Sequence, residues 1–219
     1  MSNNETRVLL ADDHLLMRRG FRELIGGMEG WSVCGEVENG REAVAAATAL
    51  RPHVIVMDVN LPEFNGLEAT RQIKRLHPEI EVLLFTGLET EELVRQSFEA
   101  GARSYILKTA GTRELDAALR ATAEHKSYFT SEVGEILFAK FLRQNDGGED
   151  ATGVGRLSAR EREIVQLLAE GKANKGVAEA LGISVKTAET HRASIMKKMR
   201  FQSLSDLVRY AIRNYIITA

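Results

Sequence analysis

The stretch His-Val-Ile-Val-Met-Asp at residues 53–58 is a continuous apolar run that ends in a carboxylate. Apolar residues without polar alternation are typical of a strand in a parallel sheet that helices cover on both faces. A second run, Arg-Val-Leu-Leu-Ala-Asp-Asp at residues 7–13, has the same character and ends in two carboxylates. The two runs therefore predict buried parallel strands that deliver acidic side chains at their carboxyl ends.

Strand and helix patterns alternate around these two runs. Three more short strands are predicted at 32–37, 82–85 and 104–107, and apolar residues at helical spacing separate the strands. Five such units in about 125 residues predict a doubly wound α/β domain with a parallel sheet. An amphipathic helix over 131–142 and a polar, glycine-rich linker over 144–155 follow it.

In the last third of the chain the pattern is purely helical. Ser158 and Glu161 have the spacing of a capping box at the start of a helix. Four helices are predicted, at about 158–170, 174–181, 184–199 and 203–214. We therefore predict an α/β domain at 1–127, a helix and flexible linker at 128–155, and a small all-α domain at 156–219.

The charge of the chain is distributed unevenly. Residues 156–219 carry twelve Lys or Arg and six Asp or Glu, a net charge of +6, whereas the rest of the chain carries −8. A basic domain of this kind favours a polyanionic partner, although a solvated surface could have the same composition. Because no apolar run approaches the roughly 18 residues of a membrane span and the polar start lacks a signal pattern, we expect a cytoplasmic protein with no membrane partner. The single cysteine, Cys34, excludes an internal disulfide.

The carboxylates of Asp12, Asp13 and Asp58 directly follow the first and third predicted strands. These strands are neighbours where the strand order of a doubly wound sheet reverses, and ligands bind outside their carboxyl ends. Because crowded carboxylates repel one another, a hard divalent cation such as Mg²⁺ suits the site. Thr86 and Lys108 end the next two strands and add a hydroxyl and an ammonium group. Each residue alone could be structural or solvated, but the set predicts phosphoryl transfer to an aspartate.

This part of the chain resembles the receiver domain of two-component response regulators. The resemblance covers about residues 7–124 and implies a flavodoxin-like domain with strand order 2-1-3-4-5. It rests on Asp12-Asp13, on 57–62 with 65–68, on Thr86-Gly87, and on 100–102 leading to Tyr105 and Lys108.

By that resemblance, Asp58 is the phosphoacceptor and a sensor histidine kinase is the phosphodonor. Asp13, Asp58 and the backbone carbonyl of Asn60 would bind Mg²⁺ directly, and Asp12 would bind it through water.

The same resemblance implies a signalling role for three further residues. Thr86 would bond to the phosphoryl group, Lys108 would neutralise its charge, and Tyr105 would rotate inward as a switch. Thr109 departs from the family pattern, because many receivers have a proline there, often after a cis bond.

Residues 174–199 fit a helix-turn-helix, with a tight turn at Gly182-Ile183 and a second helix suited to the major groove. Ala178 and Leu181 are expected to pack against the turn and the second helix. The opposite face of that helix would expose polar residues that can reach phosphates or base edges. Periodicity and charge alone also allow a helical protein-docking domain.

Three segments of this domain, 157–163, 169–175 and 183–191, look like the LuxR-type helix-turn-helix. With the receiver, they make the chain similar to response regulators of the NarL/FixJ type. The resemblance implies that Val185–Met199 is the recognition helix, that Leu204–Asn214 is a dimer contact, and that double-stranded promoter DNA is the partner. The implied DNA contacts are Asn174, Lys175, Ser184, Lys186, Thr187, Glu189, Thr190, Arg192 and Lys197. The turn at 199–202, Met-Arg-Phe-Gln, lacks the glycine usual in this family.

Three functional hypotheses compete. A phosphorylation-gated transcription regulator, homodimeric when phosphorylated, uses both domains. A phosphatase with an aspartyl-phosphate intermediate needs an acid two residues after the nucleophile, where this chain has Asn60. An interaction module without DNA binding would be excluded by salt-dependent binding to DNA. The residue pattern does not choose between two receiver faces for pairing, one formed by the fourth helix, fifth strand and fifth helix, the other by the first and fifth helices.

Overall fold

The computed structural model describes residues 5–87, 90–131, 133–135 and 157–217. The chain divides into two compact units, Met1–Gly147 and Gly148–Ala219. Within the described residues, none of the helices is both long enough and apolar enough to cross a membrane. The predicted linker at 144–155, and all but the start of the predicted helix at 131–142, lie outside the described residues.

The first unit contains a five-stranded parallel sheet in the order β2-β1-β3-β4-β5, as predicted. Its strands are β1 (Thr6–Ala11), β2 (Trp31–Val37), β3 (Val54–Asp58), β4 (Glu81–Thr86) and β5 (Ser104–Leu107). The helices between and after them are α1 (Leu15–Gly26), α2 (Gly40–Leu50), α3 (Gly66–Leu76), α4 (Glu91–Glu99) and α5 (Thr112–Ala123).

The central strand β3 is buried along its whole length, which explains its uninterrupted apolar sequence. One face of the sheet packs against α1 and α5, where the rings of Phe21 and Phe85 meet edge to face at 4.8 Å between centroids. The register aligns the carboxyl ends of the strands: Ala11 pairs with Met57, Asp58 with Phe85, and Thr86 with Leu107. Residues that end these strands therefore meet at one edge.

The second unit has four helices: α6 (Ala159–Ala169), α7 (Asn174–Leu181), α8 (Val185–Lys198) and α9 (Leu204–Arg213). The predicted capping box is confirmed, because Ser158 Oγ accepts from the Glu161 N–H at 3.2 Å and the Glu161 carboxylate accepts from the Ser158 N–H at 2.6 Å. Gly182 closes α7 in the left-handed conformation at φ +62°.

The predicted packing of α7 on α8 is also confirmed. Ala178, Ala188 and Ile195 are buried in one apolar cluster, and Leu181 and Ile183 pack against it from its edge. The angle between the two helices is therefore set by side chains on both sides of the Gly182 turn.

The turn after α8 accommodates the missing glycine by placing Arg200 in the left-handed region, at φ +58°. The N–H of Phe201 then donates to Met196 O at 2.9 Å, which satisfies a carbonyl of the last helical turn. The segment that departs from the family pattern thus still leads into a regular α9 helix.

Replacing Arg200 by glycine should stabilise the second unit by about 1 kcal/mol, because glycine adopts a positive φ without the steric cost of a Cβ atom. Amide hydrogen exchange in α8 should slow by about fivefold, measured at the buried Ile195 in the full chain. Arg200→Ala removes the same charge but keeps the Cβ, so it should give no such gain. Equal exchange rates in the two variants would contradict the conformational explanation.

Candidate functional site

The carboxyl edge of the sheet brings Asp12, Asp58 and Lys108 into direct contact. Lys108 Nζ lies 2.9 Å from Asp12 Oδ2 and 2.8 Å from Asp58 Oδ2. Asp12 and Asp58 are 4% and 1% exposed, so both carboxylates are largely removed from water. Thr86, which is fully buried, ends β4 at the same edge, and its carbonyl accepts the Lys108 N–H at 2.7 Å. Residues from four strand ends therefore form one polar cluster.

Asp13 lies on the exposed side of this cluster, beside His14. The His14 N–H donates to Asp12 Oδ1 at 2.8 Å, and the His14 Nδ1 atom lies 3.1 Å from Asp12 Oδ1 and 2.7 Å from Asp13 Oδ1. Ligand atoms of Asp12, Asp13, His14 and Asp58 all lie within 4.8 Å of one another. This acidic pocket could hold a metal ion, and its carboxylate oxygens are the donors that hard divalent cations prefer.

Burial raises the pKa of the Asp58 carboxyl above its usual range, the hydrogen bond and charge of Lys108 oppose that rise, and the charge of Asp12 adds to it. Burial alone would lower the pKa of Lys108, but its hydrogen bonds and ion pairs with Asp58 and Asp12 outweigh burial and raise it. With all groups ionised, Asp12, Asp13, Asp58 and Lys108 together carry two negative charges in excess. That balance favours a divalent cation at the pocket.

The backbone around Asp58 is tightly fixed. The Asn60 N–H donates to Asp58 Oδ1 at 3.1 Å, and the Gly66 N–H donates to Val59 O at 2.9 Å. A Cβ atom at Gly66 would lie 2.0 Å from Asp58 O, so only glycine lets α3 begin this close to the carboxylate-bearing residue. The loop from β3 to α3 therefore holds Asp58 in a defined position.

Tyr105 is fully buried within β5, and its N–H donates to Tyr128 O at 3.0 Å in the segment that follows α5. The peptide bond before Thr109 is trans, unlike the cis bond that many receivers have before proline at this position.

The outer face of α8 is polar, as the sequence pattern indicated. Arg192 is partly buried and donates from Nη1 to Asn174 Oδ1 at 3.3 Å, which ties α8 to the start of α7. Ser184 caps α8 by accepting the Thr187 N–H at 3.0 Å. The exposed members of the predicted DNA-contact set are Lys175, Ser184, Lys186, Thr187, Glu189, Thr190 and Lys197.

Sequence reasoning missed two residues next to the acidic pocket, His14 and Arg18. His14 follows the aspartate pair directly, so its place in the chain was a usable signal. Arg18 donates from Nη1 to Asp12 O at 2.6 Å although it lies six residues further along the chain. Its position in α1 gave no local signal of that contact.

Comparison with known proteins identifies both units. The family model "Response regulator receiver domain" matches residues 8–120, and "Bacterial regulatory proteins, luxR family" matches residues 155–211. The chain is 36% identical over 212 residues to the transcriptional regulatory protein LiaR of Bacillus subtilis, covering 96% of this chain and 99% of LiaR. It is 34% identical over 211 residues to the response regulator protein VraR of Staphylococcus aureus, covering 96% and 98%.

A solved structure of RcsB from Salmonella enterica serovar Typhimurium, bound to promoter rprA in the presence of phosphomimetic BeF3-, matches with a TM-score of 0.59 and 25% identity. The match covers 94% of this chain and 98% of that one. Both family models, the two relatives and this structural match agree with the architecture described above. The chain belongs to the two-component response regulators and is a transcriptional regulator that joins a receiver domain to a LuxR-type helix-turn-helix DNA-binding domain.

Proposed function

We propose that this regulator is switched by phosphorylation of Asp58, with a sensor histidine kinase as the phosphodonor and Mg²⁺ as the cofactor. The observation that carries the proposal is the buried Asp58 carboxylate, which lies 2.8 Å from Lys108 beside two further aspartates. With a phosphohistidine donor and promoter DNA as its partners, the regulator would act in the cytoplasm. The domain limits proposed are 1–127 for the receiver, 128–155 for the connecting segment and 156–219 for the DNA-binding domain.

In the proposed reaction an Asp58 oxygen attacks the phosphorus of the donor phosphohistidine. A new O–P bond forms as the P–N bond breaks, and the donor imidazole leaves with the electron pair of that bond and takes up a proton. Bound Mg²⁺ would neutralise charge on the phosphoryl oxygens. Asp13, Asp58 and the Asn60 carbonyl would hold it directly, and Asp12 through water.

Lys108 and Thr86 would receive the transferred group. Lys108 already contacts Asp58, so a short movement of its ammonium would pair it with a phosphoryl oxygen. The Thr86 hydroxyl would donate to another phosphoryl oxygen. Tyr105, on the strand next to Thr86, would then rotate as the switch residue.

Turnover separates this proposal from a phosphatase. Incubated with excess acetyl phosphate and Mg²⁺, the chain should take up one phosphoryl group and then release phosphate slowly, because Asn60 cannot act as the base that activates water for hydrolysis of the aspartyl phosphate. Fast phosphate release that continues over many groups per chain would contradict a regulatory role.

Asp13→Ala should weaken Mg²⁺ binding by about tenfold or more, because it removes a charged ligand from a site with few of them. The Mg²⁺ concentration that gives half the maximal labelling rate should rise accordingly. Asp116→Ala removes a partly exposed aspartate on α5 that pairs with Arg120, and serves as the charge-matched control. An identical Mg²⁺ dependence in the wild type and Asp13→Ala would contradict the assignment.

The second unit would bind promoter DNA by placing α8 in the major groove. Its exposed Lys186 and Lys197 suit phosphates, and Thr187, Glu189 and Thr190 can reach base edges. The similar RcsB chain was solved bound to promoter DNA, which supports promoter DNA as the partner. Affinity for DNA that falls steeply with salt concentration would exclude a purely protein-docking role.

A further inference from the structure

Arg18 is a buried cation immediately behind the acidic pocket. Its side chain lies in the first turns of α1, and the residue is only 6% exposed. The guanidinium donates from Nη1 to Asp12 O at 2.6 Å, from Nε to Glu36 Oε2 at 3.3 Å, and from Nη2 to Glu38 Oε1 at 2.5 Å. Arginine is almost never this buried unless its donors are paired, and here one of the three bonds ends on the backbone of the pocket.

The carbonyl that Arg18 holds belongs to the peptide that joins Asp12 to Asp13. The Asp12 N–H donates to Val37 O of β2 at 3.2 Å, so the Asp12 backbone is held at both its N–H and its carbonyl. Holding the plane of the following peptide constrains the directions in which the side chains of Asp12 and Asp13 leave the backbone. Arg18 therefore acts on both carboxylates without touching either side chain.

The partners of Arg18 also balance its charge. Glu36 and Glu38 are both within hydrogen-bond distance of the guanidinium, and Glu36 is shared with Arg22 at 2.6 Å from its Nη2. These two carboxylates offset the positive charge of the buried Arg18 guanidinium. The fork of the guanidinium also sets the three acceptors in fixed directions.

We propose that Arg18 is a positioning residue for the metal site: it orients the Asp12–Asp13 peptide so that the two carboxylates face a divalent cation. The inference rests on the proposed function, because the cation it serves is the Mg²⁺ of phosphoryl transfer. A purely structural tie between α1 and β2 would change the stability of the receiver but not the Mg²⁺ affinity of the folded chain.

Arg18→Met tests this role, because methionine keeps an apolar stem of similar length and removes every donor. The full-length variant should bind Mg²⁺ about tenfold more weakly, the size of effect seen when outer partners of metal ligands are lost. Titration of the amide resonances of Asp13 and His14 measures the affinity directly. The labelling rate from acetyl phosphate at saturating Mg²⁺ should change far less than the half-saturating Mg²⁺ concentration. Arg18→Lys keeps the charge and one donor, and should recover part of the affinity.

Arg22→Met is the matched control. Arg22 lies one helical turn further along α1, pairs with the same Glu36, and is half exposed. Arg22→Met should leave the Mg²⁺ affinity unchanged. Glu38→Gln gives an independent variant at an exposed position. It weakens the bond that Arg18 Nη2 makes to Glu38, so it should also raise the dissociation constant for Mg²⁺, by a smaller factor than Arg18→Met does.

Equal Mg²⁺ affinity in the wild type, Arg18→Met and Glu38→Gln would overturn the positioning role and leave the proposed function intact. An equal loss in Arg18→Met and Arg22→Met would also overturn it, since the effect would then belong to the Glu36 pairing. If Arg18→Met does not fold, Glu38→Gln decides alone. A wild-type chain that binds no Mg²⁺ would instead overturn the proposed function itself.

Discussion

Asp58→Ala should abolish labelling by acetyl phosphate, whereas the wild type should gain one phosphoryl group per chain. Intact-mass spectrometry after incubation with Mg²⁺ measures both. The physical reason is geometric: Asp58 ends the central strand, one of its oxygens contacts Lys108 Nζ at 2.8 Å, and the other accepts the Asn60 N–H at 3.1 Å. The attacking carboxylate is thus fixed beside the group that would neutralise the incoming charge.

Asp12 and Asp13 are the competing acceptors, because both carboxylates lie in the same pocket. Asp12 is held by Lys108 and by the His14 N–H, and Asp13 is the more exposed of the two. Asp116→Ala, on the outer side of α5, should be labelled as fully as the wild type. Full labelling of Asp58→Ala at a single site would show that a neighbouring aspartate is the acceptor.

The sheet could be predicted from the sequence because its signals are local. The uninterrupted apolar run at 53–58 belongs to a strand buried on both faces, and the structure places that strand at the centre of the predicted order. The carboxylates and the lysine could be placed at one edge for the same reason, since each ends a strand and parallel strands end together.

Arg18 and Arg200 show what the sequence could not reveal. Two partners of Arg18 lie 18 and 20 residues further along the chain, at the end of β2 and directly after it, so its contact with Asp12 depends on how α1 packs beside β2. For Arg200, the sequence indicates only that the turn at 199–202 lacks a glycine. The positive φ of Arg200 strains the backbone, but it lets the Phe201 N–H satisfy a carbonyl at the end of α8. The sequence does not show which of these two effects is larger.

Phosphorylation should raise the affinity for promoter DNA by promoting dimerisation, with an expected gain of about 10²–10⁴. One helix-turn-helix domain offers a single recognition helix, α8, which covers only part of a binding site. When two receivers pair, the second DNA contact becomes intramolecular. The second DNA-binding domain then binds at an effective concentration set by the dimer, which is higher than the concentration of free protein. Two copies of α8 should then read half-sites one helical turn, roughly 34 Å, apart.

Light scattering and operator affinity, measured at one fixed salt concentration, test this coupling in the phosphorylated chain and in Asp58→Ala. Salt must be held constant because Lys and Arg contacts with phosphates make every DNA affinity strongly dependent on it. The phosphorylated chain should be dimeric at concentrations where Asp58→Ala is monomeric, and an operator with one half-site should lose most of the gain. Comparing the two operators separates avidity from a change within each DNA-binding domain. A change within the domain would raise the affinity for the single half-site as well. A phosphorylated chain that stays monomeric and binds no more tightly than Asp58→Ala would contradict the mechanism while leaving both domain assignments in place.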